Sequence, residues 1–505
     1  MRAQPARGGT CAARRVPGAL GTTAGGHERE NGMHRKDVIW TVLIVTLVSL
    51  GVQGFAAKRA DLYSQFETLA VVIEKVRDNY VEEVNEKDLF EGAVRGALLS
   101  LDRYSAYISP EDFEEFKSQT KGEFQGLGIE IGVRNGWLTV IAPIEDTPAW
   151  RAGIRAGDRI IKIEGKTTEG MSTQDAVKKL RGEKNSKVNI TIQHEGEKKL
   201  IDLGITRDVI PLISVRGYRR TNGGGHWDYF VDKESKIGYV RISAFQENTV
   251  QELDKVVADL TNAGMKGLIL DLRFNPGGLL STAVTVSDRF LGEGVIVSTR
   301  GRSVAPVTYS AHRTGSTYKP FPLAVLVNNW SASASEILGG AVQDNHRGIL
   351  VGQRTFGKGS VQNVIPLEGG KAALKLTTAR YYTPSGRSIH REEGSEEGGL
   401  IPDIIEETDP EAEMNIQLLW QKLGTPPVPK EEKEKSGEVK APKPPEETPE
   451  PEMLPAPSEA KPKKPEEFVD KQLDRAIDAV KVMMILRDKP EEPAKPEPKR
   501  ESPAA

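Results

Sequence analysis

Asn328 to Leu367 read NNWSASASEILGGAVQDNHRGILVGQRTFGKGSVQNVIPL. The segment follows the apolar run Leu323-Ala-Val-Leu-Val327, whose branched residues, bounded by Pro322 and Asn328, predict a strand buried on both faces. A tight turn of small residues comes next. Ser333-Ala-Ser-Glu336 then fits the capping-box pattern, and Ile337 and Leu338 open an apolar run, so a helix is expected to start at or near Ser333. Strand, turn and helix in that order place a hydroxyl at a helix amino terminus.

That hydroxyl has two readings. Ser333 can be an N-cap that accepts a hydrogen bond from a free amide of the first turn, or it can be a nucleophile. Lys358 follows between Gly357 and Gly359, and Gln362 comes four residues later; strand periodicity would point both side chains to one face. The two glycines would let another backbone come close. A lysine serves as a base only when burial or neighbours lower its pKa, and an amide can hold its amine without adding charge. The oxyanion of a tetrahedral intermediate needs donors, and Ala334 N–H, at the positive end of the helix, is the natural first one. The second is expected from the glycines that end Gly267-Leu-Ile-Leu-Asp-Leu-Arg-Phe-Asn-Pro-Gly-Gly278, with Gly278 ahead of Gly277.

Four stretches together resemble the carboxyl-terminal processing peptidases, or tail-specific serine proteases with a PDZ domain. They are Ser-Ala-Ser-Ala-Ser-Glu at 331–336, Gly357-Lys-Gly-Ser-Val-Gln362, Asp271-Leu-Arg-Phe-Asn-Pro-Gly-Gly278 and Tyr381-Tyr-Thr-Pro-Ser-Gly-Arg387. The resemblance covers roughly 60–405 and a short stretch near 470. It implies Ser333 as nucleophile, Lys358 as general base and Gln362 as the partner orienting it, with no metal and no cofactor. It also implies a crotonase-like α/β peptidase core, which the strand and helix pattern allows but does not identify.

Composition narrows the alternatives. The 69 basic and 72 acidic residues leave no nucleic-acid footprint. The single cysteine, Cys11, excludes intrachain disulfides and a cysteine zinc site. The seven histidines show no HExxH spacing. His346, in a polar Asp-Asn-His-Arg turn, reads as a solvated residue rather than a partner of Ser333.

Residues 1–32, rich in Arg, Gly and Ala, read as a doubtful or disordered leader, and Met33 is a plausible true start. The 33–57 segment reads as a signal anchor or a removed signal peptide. From Val38 to Ala57 only Thr, Ser, Gly and Gln53 interrupt the apolar residues, and twenty such residues span roughly 30 Å of hydrocarbon. The expected location is therefore the cell envelope, with the body extracytoplasmic or periplasmic and anchored in the inner membrane through 38–57. Residues 58–120 carry helical periodicity, with Phe66, Leu69, Ala70, Ile73 and Val76 spaced as an amphipathic core face; the resemblance offers a dimer surface instead.

From Lys121 short alternating strands are separated by Gly turns. Gly126-Leu-Gly-Ile129 resembles the loop with which PDZ domains hold a terminal carboxylate on free amides, with Gly126, Leu127, Gly128 and Ile129 as the binding residues. The module is placed at 121–206 and the peptidase core at 207–424. Strands are expected at Ile237–Ile242, Gly267–Leu272, Val295–Thr299, Leu323–Val327, Gly348–Val351 and Ala373–Thr378. His390 and Glu392–Gly399 depart from the family pattern near the site. Residues 425–466, dominated by Pro, Glu and Lys, read as an extended linker. A helix is expected in 467–488, with Val469, Leu473, Ile477 and Val480 on one face docking back onto the body; 489–505 read as a disordered tail.

The fold expected is thus an α/β crotonase-like core with an inserted PDZ domain, an amino-terminal helical region and a membrane anchor. The function expected is an exported serine endopeptidase that takes protein or peptide substrates by their carboxyl termini, with a homo-oligomer and a regulatory protein as further partners. A non-catalytic PDZ scaffold on a protease fold is the alternative, and an acyl-CoA enzyme a distant third.

Overall fold

The structure, a computed structural model, describes residues 40, 46, 63–144, 146–221, 226–392, 394, 395, 397–424 and 468–487. The leader at 1–32, the linker at 425–466 and the tail at 489–505 lie outside these residues. So does the 33–57 segment, apart from Trp40 and Thr46, both helical. Among the described residues no helix is long and apolar enough to cross a membrane.

Residues up to Ala93 form one unit and those from Val94 another. The first contains a helix over 63–79 and the start of Glu86–Leu99, with Arg77 Nη1 and Glu86 Oε1 3.1 Å apart. The expected core face is covered only in part: Leu69, Ile73 and Val76 are half-buried, Phe66 and Ala70 are exposed, and Glu86–Leu99 has no buried residue. Two short helices have too little surface between them to hide such a face.

In the second unit, Ile237–Ile242, Gly267–Asp271, Leu323–Val327, Ile349–Gly352 and Ile404–Ile405 lie side by side and parallel. Val215–Arg216 and Phe230–Asp232 pair antiparallel with the first of them. The helices Thr249–Asn262, Leu280–Leu291 and Ala334–Asp344 connect successive parallel strands. Every residue of Ile237–Ile242, Gly267–Asp271 and Leu323–Val327 is buried, which is why these strands read as continuous apolar runs instead of alternating. One face of the sheet packs on the connecting helices through Val240, Leu270, Val325, Ala283 and Leu338. The other packs on Leu473, Ala476 and Val480 of Lys471–Arg487, with Ile477 beside them, so this helix docks on the body through its expected face except at Val469, which precedes the helix and is exposed. The approach is close: a Cβ on Gly267 would lie 2.5 Å from Val480 Cγ1.

A second sheet contains Ala106–Ile108, Ala372–Tyr382, Val295–Arg300 and Val307–Ser310, with Ser360–Leu367 also paired to Ala372–Tyr382. Because Ala106–Ile108 already belongs to this sheet, the chain enters the core, leaves it for the module and returns. The module is a six-stranded sheet around Leu138, Val140, Ile160, Ile163, Val188, Ile190 and Ile192, closed by Thr173–Leu180. Glu123–Gly126 pairs antiparallel with Asp208–Pro211 where the chain enters and leaves. There the buried Arg207 donates to the carbonyls of Lys179, Leu180 and Lys187, fastening the helix end to the exit strand.

The expected strands at Ile237–Ile242 and Leu323–Val327 have the observed limits, and Ala373–Thr378 lies within the longer Ala372–Tyr382. One expectation is corrected. Lys358 does not lie in a strand, because Ser360–Leu367 begins two residues after it. A buried carboxylate takes the N–H groups of Gly357 and Lys358 that a ladder would have used.

Candidate active site

The carboxyl ends of parallel strands are where open α/β sheets place their crevices, and two such ends meet here. After Leu323–Val327, Asn328 Oδ1 accepts from the N–H groups of Phe274 (3.0 Å) and Trp330 (3.2 Å), and Ser331 Oγ donates to Leu272 O at 2.8 Å. Asn275 O receives Ala332 N–H and Ser335 Oγ, each at 3.0 Å. The turn after Gly267–Asp271 is therefore stitched to the turn that carries Ser333.

Ser333 is buried with φ 53° and ψ −109°. A non-glycine residue there is strained by about 1–3 kcal/mol, the geometry of a sharp strand-to-helix elbow that presents one hydroxyl. Ala334–Asp344 begins at the next residue, so the expected helix start holds and Ala334 N–H stands in its first turn. Gly277, at φ 103°, lies against the elbow: a Cβ on it would fall 2.9 Å from both Ala334 N and Ser333 Cβ. Its N–H is engaged by Asn275 Oδ1 at 2.9 Å. Gly278, at φ 149°, would place a Cβ 2.1 Å from Phe245 O, so only glycine fits there.

Glu336 joins the parts. It is completely buried, and its carboxylate accepts from Ser333 N–H (2.8 Å), Lys358 N–H (2.9 Å), Gly357 N–H (2.7 Å) and Thr355 Oγ1 (2.6 Å). Burial pushes its carboxyl up, against the pull of these four bonds. The sequence marked Glu336 only as the far end of a capping box. Its contacts with residues 19 to 22 positions on leave no sequence signal.

Lys358 Nζ lies 5.1 Å from the centroid of the Tyr104 ring. Burial and then the charge of Lys375 hold its amine below the ordinary lysine range, with Glu336 acting in the opposite direction. The side chains of Ser333 and Lys358 are not hydrogen-bonded to each other in this arrangement. Tyr381 is pushed up to about 12 by burial, with the neighbouring Ser333 hydroxyl working the other way. Gln362 Nε2 donates to Ser360 Oγ at 2.8 Å and Thr377 Oγ1 at 3.4 Å, while its carbonyl oxygen takes no bond from the described residues.

Residues 102–105 also reach the site, where the sequence offered only helical periodicity. Asp102 accepts from Tyr104 N–H, Ser105 N–H and Ser105 Oγ, and Thr377 N–H donates to Ser105 Oγ at 3.1 Å. This loop presents Tyr104 to Lys358 and joins the network of Gln362. His390, expected as a local departure, packs on the 357–359 loop, with its backbone N 2.4 Å from the place of a Cβ on Gly359. His346 is exposed in the turn after Ala334–Asp344, at the end away from Ser333.

Gly126, Leu127, Gly128 and Ile129 line a cavity of about 830 Å³. Gly128 has φ 80°, and a Cβ would meet Thr147 at 2.3 Å. The opposite wall comes from the core and includes Arg216, Arg220, Lys255 and Trp420. Burial holds the Arg216 guanidinium below its ordinary range.

Comparison with known proteins agrees with this architecture. The profile of peptidase family S41 matches residues 236–405, a PDZ domain profile 139–194, and that of the activating protease CtpB N-terminal domain 48–112. The chain is 43% identical over 349 residues to the carboxy-terminal-processing protease of Bartonella bacilliformis, covering 68% of this chain and 76% of that one. It is 34% identical over 343 residues to carboxy-terminal processing protease CtpA of Bacillus subtilis, covering 68% and 69%. A third relative, the carboxyl-terminal-processing protease of Synechocystis, is 34% identical over 336 residues, covering 66% and 74%. The chain is a serine-type peptidase with a PDZ domain, and it belongs to the carboxy-terminal-processing protease family.

Proposed function

We propose that the protein is an exported endopeptidase in which Ser333 and Lys358 form the catalytic dyad and the PDZ domain captures substrate carboxyl termini. The observation that carries this reading is the buried Glu336 carboxylate, which binds the backbone of Ser333 and of Lys358 at once. Neutral Lys358 accepts the Ser333 proton as Oγ attacks the scissile carbonyl carbon. The oxyanion then accepts from Ala334 N–H and Gly278 N–H, Gly277 N–H being engaged already. On collapse of the intermediate the Lys358 ammonium returns the proton to the leaving amine. The same amine, neutral again, activates the water that releases the acyl group. Gln362 holds Nζ through its free carbonyl oxygen once the amine turns towards Ser333, a tightening expected when substrate binds.

Substrates are proteins with unstructured carboxyl termini, and envelope proteins are the class an exported enzyme meets. The nearly apolar run 38–57 after Arg35 and Lys36 supports anchoring with the body outside the cytoplasm. The exposed Phe66, Val71, Val72 and Phe90 support a second copy as a partner. A regulatory protein is a further partner of this reading.

The test of carboxylate capture compares one peptide with a free and an amidated carboxyl terminus. The free peptide is expected to be cleaved with kcat/KM about tenfold higher or more, since a carboxylate on backbone N–H groups gains charge-assisted bonds worth roughly 1.5–3 kcal/mol. A change confined to KM indicates tethering; a change in kcat as well indicates gating of the site, the outcome expected here. Equal cleavage of the two peptides would remove the carboxylate-binding role of Gly126–Ile129.

A further inference from the structure

The turn that lies against Ser333 is held from outside the peptidase core. Asp271, at the end of its strand and fully buried, accepts from Tyr239 Oη (2.8 Å), from Arg273 N–H (2.9 Å) and from Arg273 Nη2 (2.6 Å). Arg273 is buried as well, and its outer edge faces the helix Lys471–Arg487. Nη1 donates to Asp470 Oδ1 at 2.9 Å and Gln472 Oε1 at 3.2 Å, and Nη2 to Asp470 Oδ2 at 2.8 Å. Its face lies 5.6 Å from the Trp420 ring centroid. Burial works against the guanidinium charge, but the two aspartates outweigh it and keep Arg273 charged. The next residues are Phe274, at φ 56° with its N–H on Asn328, then Asn275, which fixes Gly277.

We propose that Asp470 is a positioning residue for peptide hydrolysis. Through Arg273 it holds the 271–278 turn, whose Gly277 lies against Ser333 and Ala334 and whose Gly278 is the second oxyanion donor, so the peptidase site is complete only with the helix Lys471–Arg487 docked. This rests on the assignment of Ser333 and Gly278 above. The argument is one of satisfied bonds. Without Asp470 the buried guanidinium would keep its bonds to Asp271 and Gln472 but lose an acceptor and a balancing charge at both Nη1 and Nη2, and a buried arginine left partly paired moves. The residue that moves is the first of the glycine turn. A donor displaced by about 1 Å loses a large part of its effect on the oxyanion.

Asp470 has a second role that the test must separate. Its Oδ1 also accepts Leu473 N–H at 3.1 Å and so caps the helix. Asparagine caps a helix as well as aspartate, but it lacks the charge and turns an N–H₂ towards Arg273. The full-length Asp470→Asn protein therefore isolates the link to Arg273. Expected are a kcat lower by about tenfold to a hundredfold, a KM within about twofold of wild type, and a matching slowing of Ser333 phosphonylation by a fluorophosphonate, which releases fluoride. Full-length Val480→Ala leaves the ion pair intact but weakens docking against Gly267. It should lower kcat as protease sensitivity of the 468–487 segment rises.

A folded Asp470→Asn protein with wild-type kcat and phosphonylation rate would overturn the proposal. So would Val480→Ala with an exposed 468–487 segment and unchanged turnover. Ser333→Ala keeps the two claims apart. If it is inactive while both variants match wild type, only the role of Asp470 fails; if it retains turnover, the assignment of Ser333 fails first.

Discussion

Replacing Lys358 with arginine lowers peptide turnover by about 10³-fold or more in a protein that still folds. The fold survives because the structural bond at this position is made by the backbone N–H to Glu336, at 2.9 Å, and a guanidinium can stack on Tyr104 as the ammonium does. Turnover does not survive, because arginine keeps its proton throughout the accessible pH range. The wild-type enzyme should show the sign of the same chemistry. Burial, then Lys375, holds Lys358 below the ordinary lysine range, and only its neutral form accepts a proton. Activity therefore rises with pH through that lowered pKa and levels off above it. The check is kcat/KM against pH for the wild type, beside circular dichroism and turnover of Lys358→Arg. An arginine variant with wild-type turnover would exclude Lys358 as the base.

The second large effect is expected at Glu336. Its removal in Glu336→Ala leaves the N–H groups of Ser333, Gly357 and Lys358 and the Thr355 hydroxyl without their acceptor in the core. Each buried donor left unpaired costs about 1–3 kcal/mol, so a loss of stability of about 4 kcal/mol or more is expected, read from the urea unfolding midpoint. Glu336→Gln should lie between, since its oxygen still accepts on one side while its N–H₂ faces two donors on the other. It is the more informative variant: kcat should fall by about tenfold while the protein remains folded, because the anchors of Ser333 and Lys358 no longer coincide. Wild-type stability and turnover in Glu336→Gln would show that the shared carboxylate is dispensable.

The parts of the fold legible in the sequence are those where one local rule decides the outcome. Leu323–Val327 is apolar at every position because both faces of its sheet are covered, and Ser333–Glu336 announces a helix start by its spacing alone. Ser333, Ala334 and the Gly277-Gly278 turn stand out as candidates by the same logic, since a strand end, an elbow and a helix start are local features, and the structure brings Gly277 against Ser333 and Ala334. The helices of 63–99 misled it: periodicity says which side of a helix is apolar, not whether the chain covers that side. Lys358 misled it differently. Its segment alternates like a strand, but Glu336 takes the N–H groups that would have entered the ladder.

What stayed invisible depends on long-range contact. Tyr104 reaches Lys358 only because Ala106–Ile108 pairs with Ala372–Tyr382. Asp470 meets Arg273 across 197 residues of sequence. Neither pairing has a spacing that a motif could encode. The helical face of Leu473 and Val480 showed that the last helix would dock, but not that it carries a carboxylate to the turn beside Ser333.

The central claim is that Ser333, activated by Lys358, is the residue that breaks the peptide bond. Its most direct test is hydrolysis of an unstructured peptide with a free carboxyl terminus by the wild type and by Ser333→Ala, with a fluorophosphonate used to label the wild-type protein and locate the modified residue. The result expected is turnover and labelling at Ser333 in the wild type, and neither in a folded Ser333→Ala protein. Turnover by Ser333→Ala, or labelling of the wild type at another serine with loss of activity, would contradict it.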